Sequence, residues 1–149
     1  MKDFRKFAGA GLLVLAALVL TFKFKDALGW SPDLILPALA VAGYLLDVYA
    51  LAFLVFLVIW VLNWQTGLPL EIWILAAVPF AAWLGKKFLP SLPWLTLAAI
   101  IGVGEILLYA LADTGVFFGN IGFIISNIAF AVLLGLALAT LLEWVYEKR

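Results

Sequence analysis

The chain has 149 residues, of which 68% are hydrophobic and 12% charged, and its mean hydropathy is +1.23. Soluble domains hold roughly 45–50% apolar and about 25% charged residues, so this composition excludes a water-exposed globule and reads as an integral membrane protein. Nine Lys+Arg balance nine Asp+Glu, and there is no Cys and no His; this removes a basic face for nucleic acid, thiol chemistry, disulfides, a Ser-His-Asp triad and the usual zinc, copper and haem ligand sets.

The length allows a single transmembrane domain over residues 1–149 and leaves no room for a separate soluble lobe. The first apolar run, residues 7–22, follows Lys2, Arg5 and Lys6. It has the layout of a signal peptide. The run ends Leu20-Thr21-Phe22-Lys23, with no small-x-small cleavage site, so it is read as an uncleaved first span.

The next run, Leu34 to Leu62, is broken only by Asp47. As one helix it would be about 44 Å long, against a hydrocarbon core of roughly 30 Å. Asp47 stands between Tyr44 and Tyr49, an interfacial composition. A break there gives spans at 34–46 and 48–64, the first only about 20 Å long. Three more runs complete the set: 68–85, which contains Pro79 and leads into Lys86-Lys87; 94–112, with Glu105 inside it; and 121–145, before Glu147-Lys148-Arg149.

Positive charge and tryptophan arbitrate between six spans and five. With six spans and an inner N-terminus, Lys2, Arg5, Lys6, Lys86, Lys87, Lys148 and Arg149 lie inside, and Lys23 and Lys25 outside. Five spans give a weaker asymmetry. Six also places Trp30, Trp60, Trp64 and Trp73 at outer ends and Trp83, Trp94 and Trp144 at inner ends, forming two aromatic belts. The expectation is an all-α bundle of six short transmembrane helices, both termini cytoplasmic.

Few residues could carry chemistry. Glu105 is the deepest charge, and a carboxylate in lipid is costly, so it is expected to face other helices or a partner. It reads as a structural or partner contact ahead of a proton relay, because no basic intramembrane mate is present. Asp47 reads as a turn residue. Asn120, Ser126 and Asn127 cluster at the start of the last span and can hydrogen-bond between helices. Ala131, Gly135 and Ala139 recur every four residues and offer a close-packing face to another helix or a partner. The loop that begins Asn63-Trp64-Gln65-Thr66-Gly67 is the densest polar turn, with Gly67 suited to a positive φ and Pro69 to a helix start. No metal or cofactor ligand set is visible.

At these residues the chain resembles the MreD family, the small polytopic subunit of the bacterial rod-shape and cell-wall elongation machinery. Pro32-Asp33-Leu34-Ile35-Leu36 looks like that family's opening to the second span. Asn63-Trp64-Gln65-Thr66-Gly67-Leu68-Pro69-Leu70 looks like its Ser/Thr-Gly-x-Pro-Leu turn, followed by an apolar helix ending in Lys86-Lys87. Glu105 falls where many members carry an acid in the penultimate helix. The likeness covers about residues 32–112. It departs at Asn63, where Asp is usual, at Glu71, where Gly is common, and in the third span, which lacks the usual glycines. The resemblance implies a non-enzymatic scaffold of the bacterial inner (cytoplasmic) membrane that binds a single-span, MreC-like partner and helps organise peptidoglycan elongation and cell shape.

Two other readings stay open. The substrate-binding subunit of an energy-coupling-factor importer has similar size and span number. It typically carries Ala-x-x-x-Ala on its first helix, whereas here that spacing occurs at Ala38 and Ala42 on the second. A small proton-coupled transporter would need paired intramembrane charges or broken helices in matching halves.

Overall fold

The computed structural model describes residues 2–28, 33–62, 70–89, 91, 93–112 and 119–147. Six helices account for nearly all of them: α1 Lys2–Leu28, α2 Ile35–Leu45, α3 Val48–Leu62, α4 Leu70–Phe88, α5 Pro93–Ala112 and α6 Ile121–Glu147. The chain is all-helical there, as expected. The expectation of six spans is met only in part. Three helices are long and apolar enough to cross a membrane, over Phe4–Lys23, Pro93–Leu111 and Ile121–Val145. α2 and α3 are shorter apolar helices, about 16 Å and 22 Å long. α4 has Glu71 in its first turn and Lys86 and Lys87 in its last.

The break in the long second run falls at Leu46-Asp47. Leu46 is extended, with φ −89° and ψ 160°, and its N–H still reaches the Ala42 carbonyl. Asp47 is exposed, and its carbonyl accepts the Leu51 N–H at 2.9 Å, starting α3.

α2 is the axle of the bundle. It touches every other helix, and Ile35 to Gly43 are buried without interruption. Two cores meet along it. Ile35, Ala38, Leu39 and Ala42 pack with Ala10 and Val14 of α1 and Leu51, Leu54, Val55 and Val58 of α3. Leu36, Ala40 and Val41 pack with Val78, Leu97, Ile101 and Ala131 on α4, α5 and α6. A helix as short as α2 can stand within a membrane only where protein, rather than lipid, covers its polar ends.

Small residues make this crowding possible. A Cβ at Gly43 would overlap the Pro79 backbone of α4, so α2 and α4 meet almost backbone to backbone. A Cβ at Gly135 would overlap the Ile101 side chain and lie 3.5 Å from Pro37 Cβ, so α6 closes on α5 and α2 at that point.

The outer helices present one stripe inward and the rest outward. Ala10, Val14, Ala17 and Leu18 are the buried side of α1, at helical spacing. Leu51, Leu54, Val55 and Val58 are that of α3. Leu12, Leu15, Phe53, Phe56, Trp60 and Leu133 are large, apolar and exposed. In water this surface would aggregate; in lipid it is ordinary.

Candidate functional site

Both ends of the bundle carry polar groups, and they differ in kind. At one end Lys6 of α1, Asp47 of the α2–α3 break and Lys86 of α4 line a cleft of about 250 Å³ with Leu45 and Leu46. Glu143 of α6 lies within electrostatic reach of Lys86. Lys86 Nζ donates to the Tyr44 carbonyl at 2.8 Å and sits 5.1 Å from the centre of the Tyr44 ring. A cation thus meets the carbonyl end of α2, where the helix dipole favours it. Burial, and then the Lys6 charge, hold Lys86 below the ordinary lysine range, with Glu143 opposing. These contacts bring the N-terminal part of α1, the α2–α3 break, and the C-terminal ends of α4 and α6 to one end.

Toward the other end, α5 buries Leu97, Ile101, Gly104 and Glu105 as one helical stripe. Glu105 therefore points inward by its register, and it is 1% exposed. Its Oε1 has no hydrogen-bond partner among the described residues. One turn on, the Tyr109 hydroxyl accepts a hydrogen bond from Asn127 Nδ2 of α6 at 2.9 Å. Asp33, ahead of α2, accepts the Ile35 and Leu36 N–H groups on Oδ1 at 2.9 and 3.2 Å, an N-terminal cap. The Asp33 charge acts on both Glu105 and Tyr109. Glu105, Tyr109 and Asn127 thus put oxygen-bearing side chains of α5 and α6 at one level of an apolar bundle, with the Asp33 cap within electrostatic reach.

The residues singled out in the sequence separate into groups. Glu105 and Asn127 are buried at that level. Asn120 and Ser126 do not join them. Both are exposed, and Ser126 Oγ donates to the Phe123 carbonyl of its own helix at 2.9 Å. Ser126, next to Asn127 in sequence, lies on a different side of α6, and Asn120 stands just ahead of the helix. Ala131, Gly135 and Ala139 are buried against the rest of the chain. They are interhelix contacts, and the stripe is closed to a partner. Asn63, Gln65, Thr66 and Gly67 lie outside the described residues. Asp33 and Tyr109 were missed as site residues. The signal for Asp33 was its position just ahead of an apolar helix, a capping pattern; for Tyr109 it was the one-turn spacing from Glu105.

A second feature is apolar. α4 and α5 border a groove of about 290 Å³ whose lining includes Ala77, Val78, Ala81, Ala99, Val103 and Gly104. Ala77, Ala81, Ala99 and Val103 are exposed. Ala77 and Ala81 are four apart, the small-residue spacing that lets a further helix approach closely.

No group of three or more acidic side chains that could hold a metal ion occurs among the described residues. No family model, no curated protein and no solved structure matches the chain.

Proposed function

We propose that the chain is a non-enzymatic scaffold subunit of the bacterial inner membrane, of the kind MreD represents. It binds a single-span partner and helps organise peptidoglycan elongation. The chain crosses six times, with both termini cytoplasmic. In support of that path, Lys6, Asp47, Lys86 and Glu143 gather at one end of the bundle. An alternating chain would bring its start, the α2–α3 turn and the ends of α4 and α6 to that side. The short α2 is sheltered by its neighbours rather than by lipid length.

The observation that carries the scaffold reading is the α4–α5 groove. It is apolar, lined by small residues, and open on the face a neighbouring transmembrane helix would meet. Association in lipid gains little from hydrophobicity and depends on close packing. The stripe on α6 cannot serve, because it is already covered.

The test is co-purification. The chain is co-expressed with a tagged MreC-like single-span protein, and Ala81→Phe fills the groove. Capture of the variant should fall at least about tenfold, a loss of about 1.4 kcal/mol, while its gel-filtration profile stays that of the wild type. Leu133→Phe, at an exposed position on α6, should be captured normally. Equal capture of Ala81→Phe and wild type would refute the groove as the docking face. No capture of the wild type would refute the scaffold reading.

A further inference from the structure

The cleft bordered by Lys6, Asp47 and Lys86 has no part in docking a helix against α4 and α5. We infer that it binds the phosphoethanolamine headgroup of a membrane phospholipid, with the phosphate between Lys6 and Lys86 and the ammonium at Asp47.

The lining carries both signs of charge. Lys6, Asp47 and Lys86 border a space of about 250 Å³. Among the described residues, no ion pair joins these three. Lys86 is exposed and donates to the Tyr44 carbonyl, and both conditions favour its ammonium form. That bond uses one of its three donors. The Lys6 charge opposes that of Lys86. A phosphate held between the two ammonium groups relieves this repulsion and accepts charge-assisted hydrogen bonds from both. Asp47 is exposed, and a carboxylate only accepts, so its complement is a cation with N–H groups. Glu143 also acts on Lys86. Two lysines thus meet two acids, and the ligand that matches them is a zwitterion rather than a net anion.

Size and position point to a lipid. The space is below the roughly 300–1,000 Å³ of pockets that enclose drug-sized ligands, which suits a headgroup. Leu45 and Leu46 complete the lining and give it an apolar wall for the glycerol end of the molecule. Next to Lys86, Lys87 Nζ lies 5.5 Å from the centre of the Trp83 ring, and the Tyr44 ring stands beside Lys86 itself. Trp, Tyr and lysine gathered at helix ends mark the headgroup level of a membrane.

The experiment is thermal unfolding of the purified full chain in dodecyl maltoside, followed by tryptophan fluorescence at neutral pH. Phosphatidylethanolamine, phosphatidylcholine or phosphatidylglycerol is added to the micelles, or soluble phosphoethanolamine to the buffer. Phosphatidylethanolamine should raise Tm saturably, by about 4 °C at ten times its dissociation constant. Phosphatidylcholine keeps the phosphate but has no N–H for Asp47, and phosphatidylglycerol has no cation, so each should give a smaller shift. Lys6→Gln should lose the response. Lys23→Gln, the same change toward the other end of α1, should keep it. Asp47→Asn should remove the preference for phosphatidylethanolamine over phosphatidylglycerol. Equal shifts with the three lipids would overturn the inference, and that comparison needs only the wild type. So would a full response in Lys6→Gln. Soluble phosphoethanolamine acting as strongly as the lipid would overturn the lipid assignment in favour of a free phosphoester. The readout needs no partner, so it can fail or succeed independently of the co-purification test.

Discussion

α2 and α3 are consecutive, short and free of charged residues, yet they live in different surroundings. In α2 every residue from Ile35 to Gly43 is buried. In α3 only Leu51, Leu54, Val55 and Val58 are, while Phe53, Phe56 and Trp60 point outward. The difference lies in side-chain size. Ala38, Ala40, Ala42 and Gly43 let neighbours close on α2 from all sides. The bulky aromatics of α3 fill space that lipid can occupy equally well. Hydropathy therefore marks both as apolar helices and is silent on which is the core.

The sharpest way to break this comparison is to add bulk to each helix. Gly43→Val places methyl groups where the Pro79 backbone stands, and neither backbone can give way cheaply. The variant should fail to yield a monodisperse peak on size-exclusion chromatography. Ala52→Val adds the same methyl groups at an exposed position of α3 and should elute as the wild type. If both variants behave alike, the central place of α2 is wrong.

Removing bulk gives a smaller contrast. Leu39, fully covered in α2, should lose about 2–5 kcal/mol of stability on change to Ala, because a cavity opens. Phe56, 64% exposed on α3, should lose no more than about 0.5 kcal/mol on the same change, since lipid fills the space. Denaturant titration in mixed micelles reads both. A costly Phe56→Ala would mean that protein covers that face.

The legible part of the fold was its segmentation. Asp47 between two tyrosines marked the break, and helices α2 to α6 end within a few residues of the apolar runs. α1 is longer than its run, because the helical backbone continues through charged residues at both ends, which hydropathy discounts. The inward direction of Glu105 followed from the cost of exposing a carboxylate to lipid. Its neighbours did not follow. Asp33 lies 72 positions away in sequence, and only the burial of α2 brings it near. The Ala131/Gly135/Ala139 stripe was legible as a packing face, but spacing alone could not say whether the chain itself or a partner would cover it. The α4–α5 groove was not legible, since it depends on which alanines of two helices remain uncovered together.

The proposed six-span path makes α2 and α3 two crossings joined at Asp47, and the absence of native cysteine makes this directly testable. Single cysteines at Asp47, Ser91 and Asn120, all exposed, are probed in intact cells with a membrane-impermeant maleimide, before and after permeabilisation. On that path Asn120→Cys labels from outside, whereas Asp47→Cys and Ser91→Cys label only after permeabilisation. An Asp47→Cys shielded in both conditions, with Ser91→Cys labelled from outside, would show one long span over 34–62 and contradict it.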